Sequence, residues 1–365
     1  MGGSLPMRPG IGKSICRNRQ SVPILAMEVI RMDTTTQPGS GSAPEGLWDA
    51  VVIGGGAAGL TAAVVLARAR FATVVVDRGE PRNRLADHMH GYLTRDGMAP
   101  GEFVTQGRKE LARYGGTILP ASVAEAHRIP DGTFRLRLDD GRTLRTRSVL
   151  VATGLTDDLP AIPGLAERWA SQVLHCPHCH GWELRGRAVA VIGGAAGAVS
   201  AHHAALMRRH SSSVTFCVNG SEISDAARRR LTAYGVRLVD TPVTRVSSAA
   251  DPTGGEPMTI EFDGGEALSC GAVFVAPRPV PHDAVLKMVG AGENPENGLV
   301  AVDQQGATDV PGVWAAGNVV HPRAQVVAAA GAGSTAGIGM AGWLLEQELS
   351  AAVPDQHRDA GGVHR

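Results

Sequence analysis

Cys176 and Cys179 stand three positions apart in the stretch Val173-Leu-His-Cys-Pro-His-Cys-His-Gly-Trp182. Two thiols at that spacing can meet in one helical turn and close a small disulfide. Such a pair can exchange two electrons with a dithiol on one side and a redox cofactor on the other. The three histidines of the stretch, His175, His178 and His180, suggest zinc as a competing chemistry. A structural zinc site needs four tetrahedral ligands, and adjacent residues such as Cys179 and His180 rarely both reach one metal. No second Cys-x-x-Cys exists in the chain. We therefore expect a redox pair and no metal.

The pair needs a scaffold, and two glycine-rich loops flank it. Trp48 to Ile53 is a short apolar run ending in Gly54-Gly-Gly-Ala-Ala-Gly59, followed by helical composition from Leu60 and a second apolar run, Thr73 to Val76, ending at Asp77. Strand, Gly-x-Gly-x-x-Gly, helix, strand and acid together predict a dinucleotide site. Gly54 permits the tight turn, and Gly56 lets the backbone approach a pyrophosphate, with Ala57 and Ala58 beside it. Gly59 lets helix and strand pack closely. The helix N-terminus faces the phosphates, and Asp77 is placed for a ribose hydroxyl. Downstream, Arg187 to Ile192 runs into Gly193-Gly-Ala-Ala-Gly197, with a helix predicted over 199–209 and a strand over 214–218. This repeats the first unit, but Asn219-Gly220 follows the strand where the first unit has an acid.

Between these units the spacing predicts a helix over 102–114, a hairpin of 134–138 with 143–145, and a strand over 149–152 entering Thr153-Gly154. Residues 80–101 lack periodicity and form a long loop; His88 and His90 there either face the cofactor or are solvated. Cys217 and Cys270 fall in apolar runs and read as buried strand residues. Val313 to Ala316 is the last predicted strand, ahead of Gly317-Asn318, and Ala328 to Leu345 is a small-residue helix suited to close backbone approach. Residues 1–46 read as a disordered tail and 351–365 as a frayed one.

The bulk numbers restrict the function classes. The 365 residues suffice for two domains, and 35 basic residues balance 35 acidic ones. That balance excludes the basic excess of a nucleic-acid binder. No apolar run reaches the 18 or more residues of a membrane helix. Five cysteines, of which only two are close in sequence, argue for a cytoplasmic redox pair over a secreted disulfide framework.

Over residues 47–350 the chain resembles the thioredoxin-reductase-type flavoproteins, class II of the pyridine-nucleotide-disulfide oxidoreductases. The order matches: fingerprint, Ala152-Thr-Gly154, a Cys-x-x-Cys before a second Rossmann unit, then Gly317-Asn318 and an Ala-Gly-rich helix. The resemblance implies an α/β fold of two Rossmann-like, three-layer domains, the second inserted into the first. It divides the chain into an FAD-binding domain (47–158 and 283–350) and an inserted NAD(P)-binding-like domain (159–282). It implies FAD held by Gly54, Gly56, Ala57, Ala58, Gly59, Asp77, Gly317, Asn318 and Gln325. It also implies a homodimer, with Cys176 as the interchange thiol and Cys179 against the flavin.

Two departures bear on activity. The family's aspartate after the second cysteine is replaced by His180, which titrates near neutrality and can deprotonate a thiol. The family's His-Arg-Arg grip on the NADPH 2′-phosphate falls on Val218-Asn219-Gly220. Both resemble the dithiol oxidases of natural-product pathways, which pass electrons from a small-molecule dithiol to O2 without NADPH. The alternatives are an NADPH-dependent reductase of a thioredoxin-like protein and a flavin-binding protein without turnover.

Overall fold

Val74, Val75 and Val76 are buried to within 1% of exposure, as a strand sandwiched between two layers requires. The computed structural model describes residues 46–248 and 257–353. The expectation of a disordered tail over 1–46 falls almost entirely outside those residues. Strand β1 (Leu47–Ile53) feeds helix α1 (Ala57–Arg68) and returns through β2 (Thr73–Val76). The two strands pair in parallel, Val51 opposite Val74. Helix α2 (Pro100–Arg113) leads to β3 (Thr117–Leu119), and β4 (Val123–Arg128), β5 (Phe134–Leu138) and β6 (Thr143–Val151) follow as an antiparallel run. The expected strands at 143–145 and 149–152 are one strand. The first half of β6 pairs with β5, and its last residues continue beside β1.

Strand β7 (Leu155–Asp158) leads out of this sheet. A second parallel sheet is then built from β8 (Val173–Leu174), helix α3 (Pro177–His180), β9 (Val189–Ile192), helix α4 (Gly197–Met207), β10 (Val214–Cys217), helix α5 (Asp225–Ala233) and β11 (Val236–Val239). An antiparallel layer of β12 (Val243–Ser248), β13 (Met258–Phe262) and β14 (Ala267–Cys270) covers its other face. Strand β15 (Ala272–Val275) then enters the sheet between β8 and β9, giving the order β11-β10-β9-β15-β8. Cys217 and Cys270 are buried in the core between these layers, as the sequence suggests. Strand β16 (Arg278–Pro281) pairs antiparallel with β7, so the chain leaves and re-enters the first domain through one two-stranded ribbon. The second Rossmann-like domain is inserted into the first.

Helix α6 (Ala284–Met288), strand β17 (Val313–Ala315) and helix α7 (Val326–Ala352) complete the first domain. β17 joins β6, and the first sheet reads β3-β2-β1-β6-β5-β4 among the described residues. Helix α7 crosses α1 so closely that a Cβ on Gly333 would lie 2.0 Å from the Ala58 carbonyl oxygen. The small residues of α7 thus serve helix packing. The helix also outruns the expected 328–345 and takes in two residues assigned to the C-terminal tail. Arg147 anchors its last turns, reaching Glu348 at 2.7 Å and the Leu344 carbonyl at 3.1 Å.

Candidate active site

The first glycine loop is shaped by what it must avoid. Gly54 has φ +103°, and a Cβ there would lie 2.4 Å from the Ala152 carbonyl oxygen; one on Gly59 would strike the Gly54 carbonyl. Gly56 opens onto free space. Asp77 accepts the Gly55 N–H at 3.0 Å and pairs with Arg108 Nη2 at 2.7 Å. A cavity of about 730 Å³ extends from this loop to the cysteines.

Gly54, Gly56, Ala57, Ala58, Asp77, Gly317, Asn318, Gln325, Cys176, Cys179 and His180 all line that cavity. Gly59 is set back from it and acts through the close crossing of helix and strand, a packing role. His88 and His90 line the cavity as well. Asn318 turns its amide onto the carbonyls of His321, Pro322 and Ala324, at 2.9 to 3.2 Å. It therefore shapes the segment that carries Gln325. The donor set fits FAD: a glycine loop at a helix start and a carboxylate at the end of the second strand, both lining the cavity.

Helix α3 presents the redox pair. Cys176 is its N-cap and Pro177 its first residue, where a missing N–H costs nothing. The two sulfurs are 2.7 Å apart, and Gln325 Nε2 stands 3.8 Å from Cys176 Sγ and 3.9 Å from Cys179 Sγ. The Cys179 thiol and the backbone N–H groups of Cys179 and His178, with the Gln325 amide, pull the Cys176 pKa down to about 6. Donating to Cys176, and buried, Cys179 is pushed the other way. His180 Nδ1 lies 3.4 Å from the Cys176 carbonyl, which can only accept. The ring therefore carries its proton on Nδ1 and leaves Nε2 as a base. Burial lowers the His180 pKa, so the base is neutral at pH 7.

Two further residues of this site escaped the sequence reading. Arg82 grips Asp157 in a bidentate pair and donates Nη1 to the Pro322 carbonyl at 3.2 Å. Its charge favours the thiolate of Cys179 and, after burial, is the next factor lowering the His175 pKa. Arg82 lies in the aperiodic loop and Asp157 in a strand that sequence periodicity did not reveal.

The second glycine loop differs from the first. Ala195 stands where Gly56 stands in the first loop, and α4 begins one residue later relative to its strand than α1 does. Asn219, at φ +49°, donates Nδ2 to the Gly193 carbonyl at 3.3 Å and accepts the Val243 N–H at 2.9 Å. Ser221 Oγ donates to the Gly194 carbonyl at 2.8 Å.

Comparison with known proteins gives the same frame. Residues 48–333 match the model of the pyridine nucleotide-disulphide oxidoreductase family. Thioredoxin reductase sirT of Leptosphaeria maculans is 30% identical over 84% of this chain and 97% of its own length. Thioredoxin reductase aclD of Aspergillus oryzae is 32% identical over 74% of this chain and 88% of its own. The crystal structure of HlmI superposes with a TM-score of 0.79 at 42% identity, covering 84% of this chain and 96% of that one. An oxidoreductase from Agrobacterium tumefaciens follows at 0.75 and 33%, covering 82% and 99%. With the fingerprint, the cavity and the cysteine pair already in place, the chain belongs to the pyridine nucleotide-disulphide oxidoreductases, as an enzyme of their thioredoxin-reductase-like class II.

Proposed function

We propose that this enzyme is an FAD-dependent dithiol oxidase that converts a small-molecule dithiol into its disulfide, with O2 as the terminal acceptor. The observation that carries this reading is the turn after β10. Asn219 and Ser221 commit their side chains to the carbonyls of Gly193 and Gly194, where an NADPH 2′-phosphate would need cations. Arg228, the nearest arginine in sequence, is paired with Asp240 at 2.7 Å. A phosphate there would lack charge-assisted bonds of roughly 1.5–3 kcal/mol each.

The redox site supports the same direction. His180 Nε2 takes a proton from a substrate thiol, and the thiolate attacks Cys176 of the enzyme disulfide, expelling the Cys179 sulfur. A second substrate thiol then gives its proton to the expelled Cys179 sulfur, whose pKa is raised, and attacks the mixed disulfide, forming the substrate S–S bond and releasing Cys176 as a thiolate. The N–H groups of His178 and Cys179 and the Gln325 amide stabilise that leaving group. Stabilising the reduced form makes a disulfide more oxidising. Bound FAD would accept the two electrons from the cysteines and pass them to O2, giving peroxide. Gly54, Gly56, Asp77 and Gln325 would hold it.

The second reading is an NADPH-dependent reductase of a thioredoxin-like protein, favoured by the retained parallel unit β9-α4-β10 and by the names of the relatives. In either case we place the boundaries of the insert at 159 and 282, directly after β7 and directly after β16, and the working unit is a homodimer. The reactive pair suits a reducing compartment, the cytoplasm. The test is anaerobic mixing of the FAD-loaded enzyme with NADPH, NADH or a small dithiol, following flavin absorbance. Bleaching by the dithiol alone, with colour and peroxide returning on air, is expected. Fast bleaching by NADPH and not by the dithiol would establish the reductase instead.

A further inference from the structure

The loop 80–99 is not confined to the cofactor cavity; it also reaches the turn that follows the redox helix. His90 Nε2 lies 3.7 Å from Glu183 Oε1, three residues beyond His180, while His90 Nδ1 lies 3.4 Å from Asp96. The Asp96 carboxylate is itself fixed by the Gly91 N–H at 2.9 Å. The Gly181 N–H closes α3 on the Pro177 carbonyl at 2.8 Å, and Glu183 lies in the turn that follows. His180 and His90 line the same cavity, and the Glu183 carboxylate favours the proton of His180. The chain of groups has a gradient of exposure. His90 is one-quarter exposed, Glu183 about half and Asp96 about two-thirds. His88, with its ring 6.4 Å from that of His90, is a further titratable side chain beside it.

We propose that His90, held between Glu183 and Asp96, is a positioning residue that passes the proton accepted by His180 out to solvent. The inference rests on thiol–disulfide exchange at the Cys pair, which the oxidase and reductase readings share. Each dithiol oxidised on the enzyme disulfide forms one S–S bond and breaks one, and two electrons move to the cysteines. The substrate's first thiol proton goes to His180 Nε2 and its second to the expelled Cys179 sulfur, while Cys176 leaves as a thiolate with no need of either. The proton on His180 must depart before His180 can act again, and burial makes His180 a poor place to keep it. The Glu183 carboxylate attracts it, and the His90 imidazole can accept it at Nε2 while releasing its Nδ1 proton toward Asp96. Glu183 and His90 already act on His180 electrostatically in opposite senses, as groups within reach of it must.

The test uses the holoenzyme with its cysteines oxidised, and follows reduction of the pair by dithiothreitol with rapid thiol labelling and mass spectrometry. For His90→Ala we expect reduction about tenfold slower near pH 7 than in the wild type, less than the roughly 10²–10⁴-fold of a group that itself takes the reacting proton. Added imidazole should restore most of that rate, and Glu183→Gln should show a similar loss that imidazole does not restore. Labelling of reduced Cys176 by iodoacetamide should stay unchanged in His90→Ala. An unchanged rate in His90→Ala would overturn the proposal. A loss that imidazole cannot restore, or that His90→Asn fully repairs, would also overturn it, since either marks a structural contact. If dithiothreitol fails to reduce the wild-type pair, the exchange reading itself fails, a separate result.

Discussion

Arg82 and Asp157 form a two-pronged ion pair, Nη2 to Oδ1 at 2.6 Å and Nε to Oδ2 at 2.8 Å, across 75 residues of sequence. Asp157 sits in β7, one strand of the ribbon that joins the domains, and Arg82 in the loop that walls the cofactor cavity. The pair also ties in Pro322, three residues before the Gln325 that faces the cysteines. Asp157 is only one-tenth exposed. Removing the arginine would strand that carboxylate, at a cost of about 3 kcal/mol, the low end for a buried pair. Arg82→Ala should lower thermal stability and slow alkylation of Cys179, because the cation favouring its thiolate is gone. The double variant Arg82→Met/Asp157→Leu should recover stability but not Cys179 reactivity. Differential scanning fluorimetry and mass-resolved labelling check both.

Cys176 has its pKa lowered to about 6 by the Cys179 thiol, two backbone N–H groups and the Gln325 amide. For an acid with a lowered pKa the charged form prevails above that value and is lost as pH falls through it. Iodoacetamide should therefore modify Cys176 at a rate that rises through about pH 6 and is level by pH 8. Gln325→Leu removes one donor and should move the midpoint upward. A midpoint near the ordinary cysteine value of about 8.5 in the wild type would contradict this arrangement.

How much of this was legible in the sequence depends on whether a residue acts locally. Gly54, Gly56 and Asp77 were readable because a Rossmann turn imposes its requirements within some 25 residues. Cys176, Cys179 and His180 were readable because one helical turn holds them. Gly59 was placed with the cofactor residues although it works by packing. Arg82 and Asp157 were missed because their partnership depends on β7 and β16 pairing, and alternation in four-residue strands such as Leu-Thr-Asp-Asp leaves no clear signal. The single long strand β6 was read as two because its partner changes partway, from β5 to β1. Asn219 could be seen to lack charge, but only the fold shows its amide turned onto Gly193.

The contact of α7 with α1 should be intolerant of a methyl group. A Cβ on Gly333 would meet three backbone atoms of Ala58, all within 2.8 Å, and no side chain there can rotate away. Overpacking of this kind costs roughly 1–3 kcal/mol, and a loss of about 2 kcal/mol lowers Tm by about 3 °C in a chain of this size. Because Ala58 lines the cavity, Gly333→Ala should also weaken FAD retention. Gly342→Ala, where a Cβ meets nothing within 4 Å, should leave both unchanged. Thermal melts and flavin-to-protein absorbance ratios provide the comparison.

The outer face of α7 carries Ile338, Leu345 and Leu349, each at least half exposed, at spacings of seven and four that align them on one stripe. Burying such a stripe against its copy would account for the proposed homodimer. Ile338→Asp/Leu345→Asp should shift the enzyme to a monomer in light-scattering chromatography, with the melt little changed. A dimer that persists through both substitutions would place the interface elsewhere.

Asp77 offers the sharpest separation of cofactor binding from folding. Its Oδ1 accepts the Gly55 N–H, and its Oδ2 meets Arg108, whose Nε is buried without a partner. Asp77→Ala removes both bonds at the head of the cavity. Hydrogen bonds to a charged group contribute about 1.5–3 kcal/mol, so FAD affinity should fall roughly 10- to 150-fold, measured by fluorescence titration of the apoprotein. Asp77→Asn keeps an acceptor for Gly55 but loses the ion pair, and should fall in between. The Cys pair lies at the other end of the cavity, so Cys176 labelling in the apoprotein should match the wild type in both variants. Equal FAD affinity in all three proteins would mean that the cofactor does not use the end of β2.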